Sequence, residues 1–204
     1  VAKRRTKEEL AQPRDFQRAF EQRSLDALRA GSFLDAIKPH VEYEASQPTS
    51  RGMGIDWKNY GLFDHDMKLF THIFNGRPQV LSSLSEEHLG HLRVAACMNW
   101  MWGPRYMSEW VPPGLDEQLK DGLFMTVNQM MSFGVFKTNM DEWQQDTGNI
   151  TLRVKYHNCN DQGVCRACRA LGKHLYSIEE APELPYAKCT SDGGCRCSSG
   201  ATMD

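Results

Sequence analysis

The sequence predicts a mainly α-helical fold: a helical body followed by a small α+β, β-hairpin module stapled by cysteines. Three observations carry that expectation. Apolar residues recur at helical spacing through most of residues 1–145. Residues 150–156, ITLRVKY, then alternate apolar and polar without a break, which is the period of a half-buried strand. Finally, six of the seven cysteines fall within residues 159–197. The change of period at Asp146-Thr147-Gly148-Asn149 divides the chain into a body, 1–146, and a cysteine-rich module, 147–204.

Each element has a local reason. Thr6-Lys7-Glu8-Glu9 has the form of a capping box, in which the Thr and Glu side chains satisfy each other's backbone donors. Pro13 follows closely and predicts a first helix that is short or kinked. Asp15 opens a segment with Phe16, Ala19, Phe20, Ala27 and Leu28 near helical spacing, stopped by Gly31. Ser32 caps the next, with Phe33, Leu34, Ile37 and Val41 inward and Pro39 bending it. A Gly-rich polar stretch near 48–60 predicts a long loop. From Asp64 the period resumes through Met67, Phe70, Ile73 and Phe74, and Asn75-Gly76 signals a left-handed C-cap. Ser85 begins a helix whose Leu89, Leu92, Ala96, Cys97 and Trp100 form one buried stripe, closed by Gly103-Pro104. Pro112-Pro113-Gly114 starts the last long helix, with Leu115, Leu119, Leu123, Met130 and Phe133 on one side. Beyond the strand, residues 170–173 predict a turn into a short strand at 175–178. Glu179, Glu180 and Glu183 with Pro182 and Pro185 predict a rigid acidic loop.

Composition narrows the function classes. With 40% hydrophobic and 25% charged residues the chain is ordinary globular material rather than disordered. No apolar run approaches the roughly 20 residues that cross a bilayer, so no membrane partner is expected. VAKRRTKEEL has no apolar signal-peptide core, and Val1 fits loss of an initiator Met; the expectation is synthesis in the cytosol, where thiols or metal are favoured over disulfides. The net charge of −2 conceals a basic start, in which eight Lys and Arg face five acids over residues 1–30. That balance fits a solvated helix face or a weak contact with nucleic acid.

Several residues invite stronger readings. His65 between Asp64 and Asp66 looks like a metal cluster, but adjacent helical residues do not face one another, so it reads as a helix-start charge cluster. Cys97 lies on the apolar stripe and reads as a small core residue. The Met- and Trp-rich runs MNWMWGPRYMSEW and VNQMMSFGVF serve either a core or an adaptable apolar interface. No phosphate-binding Gly loop, HExxH or GxSxG occurs.

The cysteine block carries the chemistry. Cys165-x2-Cys168 lets two sulfurs turn onto one ion, and after a 20-residue spacer Cys189, Cys195 and Cys197 offer three more ligands. The first metal reading is one structural zinc on Cys165, Cys168, Cys195 and Cys197, with Cys159, Cys189 and His157 as alternates. Four thiolates would close a tetrahedral shell and leave no position for substrate. Disulfides are the competing reading, with 15 pairings open to six cysteines. A redox role for Cys165 and Cys168 would require the motif to start a helix after a strand in a βαβ unit, which the pattern does not suggest.

The run VCRACRALGKHLYSIEEAPELP with the closing GCRC resembles the C-terminal module of phage minor head proteins, the phage Mu F-protein-like head-morphogenesis family. The matching positions are Cys165, Cys168, Gly172, Lys173, Tyr176, Pro182, Pro185, Cys195, Arg196 and Cys197, about 40 of the 204 residues. The longer CTSDGGCRC, with Cys189, and Cys159 depart from the family pattern. The resemblance implies a non-enzymatic virion protein at the head, neck or head–tail junction, contacting portal, head or neck components and copies of itself. The alternative expectation is a zinc-stabilised nucleic-acid-binding module in the cytosol, using the basic start with Lys155, Arg166, Arg169 and Lys173.

Overall fold

The computed structural model describes residues 7–46, 63–145, 151–159 and 161–203, with side chains from Asp15 onward. Thr6 and the loop predicted near 48–60 lie outside the described residues. Helices α1 (Lys7–Arg29) and α2 (Phe33–Ser46) form a hairpin whose turn is made by Gly31 at φ 75°. The first helix is therefore not short: α1 runs through residue 13 unbroken. A proline there costs one backbone bond, which the burial of Leu25 and Leu28 against α2 outweighs. Pro39 is likewise accommodated inside α2, on its buried face with Ala36, Ile37 and Val41. The buried Ser24 hydroxyl donates to the Ala36 carbonyl at 2.7 Å and locks the pair.

Three further helices complete the body: α3 (Phe63–Asn75), α4 (Glu86–Trp102) and α5 (Gly122–Gln145). Helix α4 begins where Ser85 accepts a hydrogen bond from the His88 amide and ends at Gly103, φ 75°. It packs against all four other helices, so its burial exceeds the single stripe expected and takes in Val94, Ala95, Met98 and Met101 as well. The Met and Trp runs are spent in this way. Met98, Met101, Met107, Trp110 and Met130 are buried in the body's core and do not form an exposed interface.

Two sequence signals resolve differently from expectation. Gly76 does not adopt the left-handed conformation expected after Asn75; its glycine is needed for space, since a Cβ there would lie 2.1 Å from the Phe133 ring. Arg93 instead binds the Gly76 carbonyl at 2.9 Å, and Arg77 ties the same connection to the carbonyls of Ser82 and Leu84. The last long helix also starts later than Pro112-Pro113-Gly114. A short 3-10 turn at Asp116–Gln118 intervenes, Gly122 takes φ 73°, and Asp116 accepts from the Leu123 amide to begin α5. Leu115 and Leu119 are buried, but as anchors of that connection rather than as helix residues of α5.

The strand pattern is realised as β1 (Leu152–His157), with Val154 and Tyr156 buried. It is the centre of a three-stranded antiparallel sheet between β2 (Leu175–Tyr176) and β3 (Ser198–Met203). A short helix α6 (Arg166–Leu171), not expected from sequence, covers the Cys165–Cys168 knuckle between β1 and β2, and the expected turn follows it at Gly172-Lys173. The inner face of the sheet joins Val164, Leu171, Ile178 and Leu184 in a second core, completed by Phe136 and Met140 from α5. Lys137 pairs with Glu183 at 3.1 Å, and Glu183 also accepts from the Gln79 amide. The acidic loop is thus a strut between module and body.

At Gly134 a Cβ would sit 2.4 Å from Ile73 Cγ1, whereas at Gly90 a Cβ meets nothing within 4 Å. Gly134→Ala should therefore lose about 1–3 kcal/mol by overpacking, while Gly90→Ala should be neutral or gain up to about 1 kcal/mol from helix propensity. Urea unfolding of the two variants measures both. His40 packs edge-on against Trp102 at 5.0 Å, and burial pushes its pKa down from 6.5 to about 4. The unfolded chain takes up that proton first, so stability should fall as pH drops from 6.5 towards 4, by at most roughly 3 kcal/mol. In urea midpoints measured across this range, His40→Leu should show a smaller drop.

Candidate metal centre

The cysteine sulfurs are delivered by three segments. Cys165 is the N-cap of α6, extended at φ −71° and ψ 163°, and Cys168 lies in its first turn. Cys189 follows the Tyr186 turn, its amide bonded to the Tyr186 carbonyl at 2.9 Å. The Asp192-Gly193-Gly194 loop then reverses the chain, with positive φ at both glycines, and brings Cys195 and Cys197 in beside β3. Gly194 also lies against α5: a Cβ would come within 2.0 Å of Gln129 Nε2. Gln129 is itself held by Asp121 at 3.0 Å, so the helical body seats the loop that carries the ligands.

These segments gather five sulfurs into two sets of three. Cys165, Cys168 and Cys189 have their sulfurs within 4.8 Å of one another, and so do Cys168, Cys195 and Cys197. Cys165 and Cys189 are 3.9 Å apart, and none of the seven cysteines is in a disulfide. Such a cluster could hold a metal ion. Backbone amides already point at the sulfurs: those of Cys168 and Thr190 reach Cys165 at 3.4 Å, and that of Ser191 reaches Cys189 at 3.5 Å. Donors placed in this way stabilise thiolate over thiol.

Electrostatics follow that geometry. Burial pushes the Cys165 thiol up, but the Thr190 and Cys168 amides and the Cys168 and Ser191 side chains together bring it down to about 6. The Cys197 thiol, opposed by burial and then aided by the Cys197 and Tyr186 amides, brings Cys195 down to about 5. Its partner Cys197 is pushed up by sharing that hydrogen bond with Cys195 and by burial. Burial, together with the thiols around it, pushes Cys168 up as well. The cluster thus mixes thiols eased towards the thiolate with thiols held towards the protonated form.

The residues picked from sequence divide clearly. Cys165 and Cys168 meet Cys189, which was an alternate, while Cys195 and Cys197 meet Cys168 from the other side. Cys159 belongs to neither set; it is exposed, with its sulfur 3.6 Å from the Arg196 carbonyl. His157 is exposed at the end of β1 and belongs to neither set. Sequence reading passed over Ser191, whose hydroxyl accepts from the Cys165 amide at 3.1 Å and so orients the knuckle. It also passed over Asp161, which grips Arg196 through two 2.9 Å bonds and steadies the Cys195-x-Cys197 turn. The CxxC does start a helix after a strand, contrary to expectation, but β1 and β2 are antiparallel neighbours, so no βαβ unit exists there.

The other suggestive groups have structural partners. His65 bonds Glu142 across to α5 at 3.0 Å, while the buried Asp66 accepts from Trp100 Nε1 at 2.8 Å; Asp64, His65 and Asp66 do not converge. Among the described residues no helix is long and apolar enough to cross a membrane. Fold and site together define a mainly helical protein with a small antiparallel sheet that carries a cysteine cluster able to hold metal. No family model, characterised protein or solved structure matches the chain.

Cys97 is fully buried, and burial raises its thiol well above the usual range. In native protein treated with iodoacetamide, Cys97 should stay unmodified while Cys159 reacts, and Cys97 should label only on unfolding. Peptide mass spectrometry reads both outcomes.

Proposed function

We propose that this chain is a non-enzymatic structural protein of a phage particle, whose C-terminal module is clamped by zinc and docks onto head, neck or portal components. The observation that carries the reading is the convergence of five cysteine sulfurs, from three segments between residues 165 and 197, onto one mostly buried corner beside the sheet. Thiolates in such number suit a soft, redox-inert ion, and zinc is the first choice by chemistry and abundance. The placement in a particle rests on the resemblance of Cys165, Cys168, Gly172, Lys173, Tyr176, Pro182, Pro185, Cys195, Arg196 and Cys197 to the phage minor head module.

The physical role of the clamp is pre-organisation. The module's own core is small, and metal binding adds folding free energy that a sheet of this size lacks. A module already rigid before docking loses less conformational entropy on binding. Multiple copies in a ring or shell would then assemble through repeated weak contacts.

The test is recovery of the chain in purified particles from the cells that encode it. The expected result is a fixed copy number, retained through a high-salt wash, with zinc in proportion. Absence from particles, with retention on DNA at physiological salt instead, would replace this reading with the nucleic-acid one.

A further inference from the structure

We propose that the cluster is a two-ion centre in which the Cys168 thiolate bridges two zinc ions. The inference rests on the metal-clamp reading and goes beyond its single closed shell. A lone tetrahedral ion with Zn–S bonds of about 2.3 Å needs all four sulfurs about 3.8 Å from one another. The described cysteines offer no such foursome. They form two triads within 4.8 Å, and Cys168 is the one sulfur common to both.

Two ions use this arrangement as it stands. The first takes Cys165, Cys168 and Cys189, the second Cys168, Cys195 and Cys197. Cys159 lines the same small crevice as Cys168 and Cys197 but stands outside the triad, its sulfur on the Arg196 carbonyl, so the second ion's fourth position is left open. The first triad lies on the more open side, where Cys165 and Cys189 are only half-buried. Its fourth position is left to a water from solvent. Cys189 also lines a cleft of about 670 Å³ between the module and Lys120, Asp121 and Gln129 of the body, through which water reaches it.

Charge argues the same way. One divalent ion holds at most four of the five sulfurs, a net charge of −2, and leaves the fifth without a cation at a corner where Cys168, Cys195 and Cys197 are all buried. A second divalent ion lets all five bind as thiolates with a net charge of −1. Each sulfur that binds gives up its thiol proton to solvent, and a bridging thiolate satisfies two cations with one negative charge.

The decisive experiment loads the full-length, reduced, metal-free chain with ¹¹³Cd and combines native mass spectrometry with ¹¹³Cd NMR. The expected result is two ions per chain and two thiolate-range resonances, split by coupling through the shared sulfur. Cys189→Ser should release the first ion and leave the second, whereas Cys195→Ser should do the reverse. The wild-type measurement needs no variant to fold. One ion and one resonance would overturn the two-ion centre and leave a single clamp standing. Two uncoupled resonances would overturn the bridge by Cys168. No bound ion would remove both this proposal and the clamp beneath it.

Discussion

Helix α5 belongs to two cores at once, and the rest of the structure depends on that. Its first half packs Leu123, Val127 and Met130 into the helical body, while Phe136 and Met140 close the core beneath the sheet. To do so it must approach α3 closely, which is why Gly134 faces Ile73 and Leu69 with no side chain of its own. The same closeness brings Phe133 onto Gly76. A larger residue at any of these contacts would push α5 outward and carry the floor of the sheet with it. The sheet is therefore positioned by a helix of the body as well as by its own hydrogen bonds.

That position matters because the module is poor in apolar mass. Its core is Val154 and Tyr156 of the central strand with a few side chains from α6 and the loops, closed by Phe136 and Met140 of α5, and two of its three short strands are edges. Three of its buried members are cysteines, which as thiols would pack as small hydrophobes but as thiolates require a cation. Hydrogen bonds favour the thiolate at Cys165 and Cys195, from backbone amides at the first and chiefly from the Cys197 thiol at the second, while that shared bond with burial opposes it at Cys197 and burial opposes it at Cys168. Such a corner is a compromise without metal and a stable knot with it. On α5, Gln129 packs against the glycine loop and Lys137 pairs with Glu183, which joins that corner to the body.

Much of the fold was legible because it is written in local periods. Ser85 and Gly103 bounded α4 correctly, and the alternation of Leu152, Val154 and Tyr156 marked β1. What escaped was set by tertiary contact or by the absence of side chains. Gly76 looked like a left-handed cap because Asn-Gly usually is one; only the position of Phe133 shows that the glycine makes room instead. The β3 sequence SSGATM has little strand propensity, and its six-residue ladder with β1 is what makes it a strand. Pro13 and Pro39 looked like interruptions, yet both lie within continuous helices.

The cysteine cluster shows the same division more sharply. Spacing identified the knuckle at Cys165 and Cys168, since two residues between cysteines dictate a local geometry. The sequence reading placed Cys195 and Cys197 ahead of Cys189, whereas all three come near Cys168, because their approach depends on the Gly193-Gly194 reversal and its seat on Gln129. Nor could it show that Cys168 stands in the middle. One turn of α6 after an N-cap at Cys165 points the Cys168 sulfur inward, between the Cys189 side and the Cys195 side. A central sulfur flanked by two pairs is a geometric fact of three converging segments, and no count of residues between cysteines encodes it.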